Sequence, residues 1–279
     1  MSGTLFVVAT PIGNLEDITL RALRILREVS CIAAEDTRRT RRLLQHFGIP
    51  TGTVSLHEHN ERQRTAELVD RLREGQSIAL VSDAGTPMLS DPGFNLVRES
   101  IAARIRVEPI PGPSALTAVL SAGGVPVDSF VFLGFAPGRT SERKRWLDNL
   151  KPETRTLVFF EAPHRIRATL ADAREILGDR WTVIGRELTK VHEVFVRGWL
   201  SEVLHVADLD RGELTVMLSA LTKPADVGER LVPTASLVEE VGRLTNSGAV
   251  SKRDAVALVA HSHGVAVQDV YRALADAER

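Results

Sequence analysis

The sequence is short of cysteine and of net charge. Its single cysteine, Cys31, excludes an internal disulfide framework and a zinc site built from cysteines, and it favours a reducing compartment. The 35 Lys and Arg residues nearly balance the 36 Asp and Glu residues, which leaves a net charge of -1. A chain this neutral has no global basic field, so any nucleic-acid partner must be held by local basic patches.

Long hydrophobic runs are also missing. Apolar runs such as those at residues 77–81 and 156–160 fall far short of the ~20 residues needed to span a bilayer. The apolar run at residues 5–9 has no basic region before it, and Glu16 and Asp17 follow closely, which is unlike a signal peptide. We therefore expect a soluble, cytoplasmic protein without a membrane partner.

Several widespread catalytic motifs are absent. The sequence contains no Gly-x-Gly-x-x-Gly and no Gly-x-x-x-x-Gly-Lys-Ser/Thr, so neither a dinucleotide cradle nor a P-loop is indicated. It has no Gly-x-Ser-x-Gly elbow and no His-Glu-x-x-His helix, which disfavours serine hydrolysis and zinc proteolysis. His57 and His59 could begin a metal site, but with only carboxylates as partners we expect a polar, substrate-facing loop and no metal.

What the chain does contain is an alternation of short apolar runs with helical patterns. A chain of 279 residues, 43% of them apolar, is expected to form about two domains. Residues 1–120 predict an α/β domain whose strands lie at 5–9, 31–34, 53–56, 77–82 and 106–110. Because these runs lack period-two alternation and are separated by helices, they indicate a buried parallel sheet.

The rest of the chain predicts a second α/β domain at residues 121–224 and a small helical module at residues 230–279. The strands of the second domain are expected at 130–133, 156–161, 182–186, 194–199 and 213–219. The third and fourth lie too close for a helical crossover, so they should be antiparallel and the sheet mixed. In the helical module, Ser251 and Asp254 form a capping box and Gly264 provides a turn. The apolar positions expected to hold its two helices together are Val256, Val259, Val267 and Val270.

Polar or Gly/Pro-rich segments follow every predicted strand of the first domain. In order, they are Thr10-Pro-Ile-Gly-Asn14, Glu35-Asp-Thr-Arg38, His57-Glu-His-Asn-Glu61, Asp83-Ala-Gly-Thr-Pro87 and Pro111-Gly-Pro-Ser-Ala115. Ligands of open parallel sheets bind outside the carboxyl ends of the strands, which is where all five segments fall. The alternative is that these are ordinary loops, rich in turn formers.

Two arginine-rich segments predict contacts with an anion. In the first, Arg38, Arg41 and Arg42 face outward on a helix whose buried side carries Thr40 and Leu44. Cations at the start of a helix oppose its dipole, which makes sense if phosphates dock there. The alternative is a solvated face partly neutralised by neighbouring acids. The second group of basic residues, which would also contact RNA, consists of Arg143, Arg145 and Arg165.

Further motifs extend the pattern along the chain: Ser90-Asp-Pro-Gly93, Glu161-Ala-Pro-His-Arg165 and Arg186-Glu-Leu188 with Lys190 and His192. Together with the five loop segments, they resemble the tetrapyrrole methylase superfamily, whose members use S-adenosyl-L-methionine. Within that superfamily, they are similar to the group that methylates cytidine 2'-hydroxyls of 16S rRNA in the small ribosomal subunit.

The resemblance implies a two-domain α/β methyltransferase that holds its cofactor in the cleft between the domains, and typically a homodimer. One departure from the family pattern is Phe160, where a tyrosine is expected; the ring is kept and a hydroxyl is lost. The cofactor-binding positions implied are Thr10, Pro11, Ile12, Gly13, Asp83, Gly85, Thr86, Pro87, Ser114, Ala115, Phe160, Leu214 and Val216.

A ribose 2'-hydroxyl is a weak nucleophile, so a nearby base should help to remove its proton. The candidates are Glu35, Asp36, Glu187 and, if its pKa is depressed, Lys190. The sequence does not choose among them. Two other functions stay open: methylation of a cobalamin precursor or a protein side chain, and a non-catalytic role in ribosome assembly.

Overall fold

The computed structural model describes residues 2–222, 234–246, 251–263 and 267–277. The chain divides into two compact units, Met1–Lys223 and Pro224–Arg279. The first unit contains two five-stranded sheets, and the second is helical. This confirms the predicted fold class, an α/β chain with a parallel sheet, a mixed sheet and a helical C-terminal part.

The first sheet is parallel throughout, with the strand order β3-β2-β4-β1-β5. Its strands are β1 (Thr4–Val8), β2 (Cys31–Ala34), β3 (Thr53–Ser55), β4 (Ile78–Val81) and β5 (Arg106–Ile110). Every residue of β2 and β4 is buried, as expected for strands with helices on both faces. The helices that follow the five strands are α1 (Leu20–Glu28), α2 (Thr37–His46), α3 (Glu61–Arg73), α4 (Phe94–Ala102) and α5 (Ala115–Gly123).

The placement of these helices creates a crevice at one edge of the sheet. Helices α1 and α2 bury Leu26 and Leu44 on one face, whereas α3 and α4 bury Leu68 and Leu96 on the other. After the neighbouring strands β1 and β4, the chain therefore continues to opposite faces of the first sheet. The loops after them diverge, and such a divergence is where open α/β sheets bind ligands.

The second sheet is mixed, with the order β6-β7-β10-β8-β9. Only β6 and β7 pair in parallel; the other neighbours, including β8 and β9 as predicted, are antiparallel. The strands are β6 (Phe130–Phe135), β7 (Thr156–Glu161), β8 (Arg180–Arg186), β9 (Val194–Trp199) and β10 (Leu214–Thr222). The helices of this region are α6 (Thr140–Asn149), α7 (Ile166–Leu177) and α8 (Leu200–Val203).

Helix α5 packs on the second sheet, although it follows a strand of the first. Leu116 and Val119 are buried against Val158, Val183 and Met217. The chain therefore crosses between the sheets before this helix, and the boundary expected at residues 120/121 falls inside it. The other end of that domain, residue 224, lies outside the described residues.

The second unit contains α9 (Thr234–Asn246), α10 (Lys252–His263) and α11 (Val267–Ala277), which share a small apolar core. Ser251 caps α10: its hydroxyl accepts a 3.2 Å hydrogen bond from the Asp254 N–H. Val256, Val259 and Val270 are buried as predicted, but Val267 is 45% exposed, so its expected packing role is wrong. The turn expected at Gly264 lies outside the described residues. None of the described helices is long and apolar enough to cross a membrane.

Candidate functional site

The loops after β1, β4 and β5 are joined to one another at the carboxyl edge of the first sheet. Thr10 and Gly85 exchange two backbone hydrogen bonds of 2.9 Å each, and the Thr86 hydroxyl donates to the Pro113 carbonyl at 3.1 Å. Gly85 has a φ of 77°, and a Cβ added there would lie 3.1 Å from the Ile12 side chain. A side chain at position 85 would therefore be strained and would crowd the site.

A cavity of about 520 Å³, here called the main cavity, lies between these loops and the second sheet. Eight of the predicted cofactor-binding residues line it: Ile12, Asp83, Gly85, Thr86, Ser114, Ala115, Phe160 and Leu214. A smaller cavity of about 320 Å³, the side cavity, lies next to it. Thr10, Pro11 and Gly13 line this second cavity, and Ile12 lines both.

Two predicted cofactor residues line neither cavity. Pro87 is buried behind its loop, and Val216 is fully buried in the apolar core of the second domain. Of its neighbours in β10, Leu214 and Thr215 line the main cavity. The assignment of Pro87 and Val216 to the cofactor site stays a prediction.

Phe135 and Asp91 are among the residues of the main cavity that the sequence analysis did not assign. Phe135 is 56% exposed, and its ring lies 5.3 Å from that of Phe160, so the pair forms an aromatic wall. Asp91 belongs to the quoted motif Ser90-Asp-Pro-Gly93. Two features of the sequence could have identified them: Phe135 is an aromatic residue at the end of a strand, and Asp91 is an acid in a Gly/Pro-rich loop.

Five acidic residues line the main cavity, and three of them, Glu35, Asp83 and Asp91, come from the loops after strands of the first sheet. Burial raises the pKa of Glu35, and that of Asp91 rises to about 6 through burial and the nearby charges of Glu35 and Asp83. The negative charge of the Asp83 carboxylate is better compensated, because this group accepts a 2.9 Å hydrogen bond from the Asp36 N–H and pairs with Arg39 at 3.3 Å. The cavity is therefore an acidic environment suited to a cation.

The other carboxylate candidates for a base lie elsewhere. Asp36 caps α2, accepting a 2.8 Å hydrogen bond from the Arg38 N–H, and its bonds to Arg38 lower its pKa. The pKa of Glu187 is also lowered, first by the Glu213 N–H and then by Lys190. Among the four candidates, only Glu35 combines a place in the main cavity with a raised pKa.

Lys190 does not meet the condition under which it was a candidate base. Its ammonium lies 2.9 Å from a Glu187 oxygen and 3.0 Å from a Glu213 oxygen. Partial burial works to lower the pKa of Lys190, but the two carboxylates outweigh it and the pKa stands above its ordinary value. Lys190 is therefore a cation on the wall of the side cavity.

The first arginine cluster has the geometry expected from its pattern. Thr40 and Leu44 are buried, while Arg38, Arg41 and Arg42 are exposed. Arg38 pairs with Asp36 at 3.2 Å, Arg41 donates to the Thr53 hydroxyl at 3.2 Å, and Arg42 lines the side cavity.

The second arginine group needs a correction. Arg143 is only 3% exposed, and its guanidinium bonds the Asp172 carboxylate at 2.7 Å, so it holds α6 to α7 and does not face a partner. Arg165 is half-buried and pairs at 2.7 Å with the buried Glu161, whose other oxygen accepts from the Thr169 hydroxyl. Arg145 is exposed as predicted.

No group of three or more His, Cys, Asp or Glu side chains in the described part of the chain is arranged to hold a metal ion. His57 and His59 lie near each other, with ring centroids 5.9 Å apart.

Several proteins of known name are similar in sequence to this chain. "Ribosomal RNA small subunit methyltransferase I" of Pseudomonas aeruginosa is 50% identical over 228 residues, covering 80% of this chain and 81% of the relative. The protein of the same name from Halalkalibacterium halodurans is 46% identical and covers 96% and 93%. That of Escherichia coli O157:H7 is 42% identical and covers 97% and 94%.

Solved structures show the same fold at low sequence identity. A diphthine synthase matches with a TM-score of 0.62 at 18% identity, over 78% of this chain and 90% of that one. The methyltransferase CobJ matches with a TM-score of 0.61 at 18% identity, over 78% and 94%. The family model described as Tetrapyrrole (Corrin/Porphyrin) Methylases matches residues 4–204. With this match and relatives of 42–50% identity, the chain belongs to the tetrapyrrole methylase family.

Proposed function

We propose that this protein is an S-adenosyl-L-methionine-dependent methyltransferase that modifies the ribose 2'-hydroxyl of a cytidine in 16S rRNA of the small ribosomal subunit. The main observation behind the proposal is the acidic main cavity in a chain whose relatives, similar over nearly their whole length, are named ribosomal RNA small subunit methyltransferase I. We further propose that the protein is cytoplasmic, that it forms a homodimer and that its activity needs no metal.

The main cavity fits S-adenosylmethionine, which supplies a methyl group bound to a positively charged sulfur. The carboxylates of Glu35, Asp83 and Asp91 would favour that charge in a partly buried site. Phe160 and Leu214 offer an apolar wall, and the backbone at Gly85, free of a side chain, leaves room for close approach. The residues that would hold the cofactor are Ile12, Asp83, Gly85, Thr86, Ser114, Ala115, Phe160, Leu214 and Thr215.

Glu35 is the base in this proposal. A carboxylate whose pKa is raised binds a proton more readily near neutral pH than an ordinary one does. Glu35 accepts a 3.3 Å hydrogen bond from the Asp83 N–H, which fixes its carboxylate at the loop after β4. Glu35 would accept the proton of the 2'-hydroxyl, while bound S-adenosylmethionine would supply the methyl group by cleavage of its carbon–sulfur bond and leave as S-adenosylhomocysteine.

The RNA is held by exposed cations. Arg38, Arg41 and Arg42 are exposed on α2, where Arg42 lines the side cavity, and the exposed Arg145 on α6 adds a further positive group. Such contacts to phosphates supply affinity without reading sequence. In the helical unit, the exposed Lys252 and Arg253 offer a second contact with the ribosomal subunit.

The test is to incubate the purified protein with 30S subunits and S-adenosylmethionine labelled in the methyl group, with 50S subunits as the control. Mass spectrometry of the nucleosides is expected to show 2'-O-methylcytidine in 16S rRNA only. A label found in a ribosomal protein, or no transfer to any component, would contradict the proposed function. A methylated base in place of a methylated ribose would keep the enzyme class and refute the acceptor atom.

A further inference from the structure

We propose that Glu61 is a positioning residue for the cofactor site: its buried carboxylate holds the loop at residues 88–93, here called the Asp91 loop, so that Asp91 stays on the wall of the main cavity. The proposal rests on the proposed function, because it takes the main cavity as the cofactor site. Glu61 itself lines neither cavity. It ends the segment His57-Glu-His-Asn-Glu61, to which the proposed function gives no role.

The carboxylate of Glu61 is bonded to the backbone at the end of the Asp91 loop. Glu61 is 9% exposed, and its Oε1 accepts hydrogen bonds from the Gly93 N–H at 3.1 Å and from the Asn95 N–H at 2.9 Å. Glu61 is the first residue of α3, whereas Gly93 and Asn95 lie at the start of α4. A side chain of one helix therefore fixes where the next helix begins and where the Asp91 loop ends.

Helix α4 does not supply this cap from its own sequence. Its N-cap residue is Gly93, which has no side-chain oxygen and whose φ of 123° is a conformation that other residues rarely adopt. In many helices, an N-cap side chain accepts a hydrogen bond from the N–H of the second or third helical residue. Asn95 is the second residue of α4, so the carboxylate of Glu61 takes the place of the missing cap. A negative charge is also favoured at this end of a helix.

The Asp91 loop depends on being held because its backbone is strained. Met88 and Ser90 have φ values of 70° and 73°, in the left-handed region that residues other than glycine rarely adopt. Residues keep such conformations only where the surrounding structure holds them. The hydrogen bond from Gly93 to Glu61 fixes one end of the loop. Without it, we expect the loop to relax toward ordinary backbone angles.

The position of the Asp91 carboxylate follows from that of the loop. In the held position it lines the main cavity with Glu35 and Asp83, where the carboxylates together favour a cation. Burial and the charges of Glu35 and Asp83 raise the pKa of Asp91 to about 6, although a hydrogen bond with Ser82 works the other way. The ionised carboxylate is thus disfavoured at this place, and a relaxed loop would release it toward solvent. Glu61 therefore acts on the cofactor through Asp91.

Two substitutions of Glu61 separate the reach of the side chain from its charge. Glu61→Gln keeps the length and an oxygen that accepts both hydrogen bonds, whereas Glu61→Asp keeps the charge but is shorter by one methylene group. By calorimetry, S-adenosylmethionine should bind Glu61→Gln within about threefold of the wild type and Glu61→Asp at least about fivefold more weakly, the effect of about one hydrogen bond. Equal affinities for the two variants, or the reverse order, would overturn the proposal.

The control for a general loss of stability is Asp179→Ala. Asp179 accepts hydrogen bonds from the Ser201 N–H at 2.8 Å and from the Ser201 hydroxyl at 2.6 Å, and it lines neither cavity. This variant should lower the melting temperature about as much as Glu61→Asp does and leave the affinity for S-adenosylmethionine at the wild-type value. If its affinity falls together with its melting temperature, the weaker binding of Glu61→Asp reflects lower stability and the proposal fails.

A third measurement tests whether Glu61 acts through Asp91. Asp91→Asn removes the charge that Glu61 positions, so in that background Glu61→Asp should weaken cofactor binding by no more than about twofold. Losses that multiply in the double variant would show that Glu61 acts through other groups, and would overturn the proposal. If the wild type binds S-adenosylmethionine and the variants fail these tests, this inference fails alone. If the wild type does not bind S-adenosylmethionine, the proposed function fails with it.

Discussion

Replacing Asp91 by Asn should make the protein more stable at pH 8. Burial, with the charges of Glu35 and Asp83, raises the pKa of Asp91 from 3.8 to about 6, although a hydrogen bond with Ser82 works the other way. The folded protein therefore binds this proton more tightly than the unfolded chain does. Keeping the carboxyl ionised in the folded state costs stability, and a neutral amide of similar shape avoids that cost.

The two pKa values set the size and the pH window of the effect. A rise of about two pKa units corresponds to at most about 3 kcal/mol. Below pH 3.8 the carboxyl is protonated in both states and there is no penalty; stability is lost as the pH rises from 3.8 to about 6, and the loss is complete above that. Since 1 kcal/mol moves the melting temperature of a chain of this size by about 2–4 °C, Asp91→Asn should gain several degrees at pH 8 and much less at pH 4.5.

The assay is thermal unfolding of the cofactor-free protein at both pH values, for the wild type, Asp91→Asn and the control Asp148→Asn. The Asp148 side chain is 62% exposed and pairs with Lys151 at the surface, so its removal should change little at either pH. A gain for Asp91→Asn that is the same at both pH values, or no gain at all, would show that the folded state does not disfavour the ionised form of the Asp91 carboxyl. The reasoning about the acidic cavity would then be wrong.

The remaining predictions concern the cofactor, the RNA and the helical unit. Asp83→Arg places a cation on the wall of the main cavity and should weaken S-adenosylmethionine binding at least about tenfold in a folded protein; unchanged affinity by calorimetry would remove the cofactor from this cavity. Replacing Arg38, Arg41 and Arg42 with Ala should flatten the salt dependence of RNA binding, by up to about 0.7–0.9 in the log–log slope per lost phosphate contact, and spare the cofactor; an unchanged slope would make the cluster a solvated surface. A chain truncated after residue 223 should bind the cofactor with a near-normal melting temperature, because each unit has its own apolar core, but should methylate 30S subunits poorly. A large loss of melting temperature together with cofactor binding would instead give the helical unit a structural role.

Local sequence patterns were sufficient for most of the fold. The runs that form β2, β5, β7 and β9 lie at the predicted residues, because short segments with apolar residues between turn signals favour strands. The same holds for the exposed face of α2, since its buried positions repeat at helical spacing. The position of the polar loops at one edge of the first sheet followed from the parallel direction that βαβ crossovers give to the strands.

The boundary at residues 120/121 and the role of Val216 depended on longer-range packing. Helix α5 is an ordinary apolar helix, and nothing within it indicates which of two sheets it will cover. Val216 is buried in the apolar core beside the second sheet, whereas its neighbours Leu214 and Thr215, at the start of β10, line the main cavity.

The chemistry of the site was decided almost entirely by tertiary structure. Arg143 and Arg145 are two residues apart in one basic segment, yet one is buried against Asp172 and the other is exposed. Lys190 meets two carboxylates, which keep it charged, while Asp91 meets other carboxylates and holds its proton up to about pH 6. A pKa depends on burial and on charges within a few ångströms, and those neighbours come from elements distant in the chain. The residue types could therefore be read along the sequence, whereas their protonation and their access to a ligand arose only when the loops were brought together.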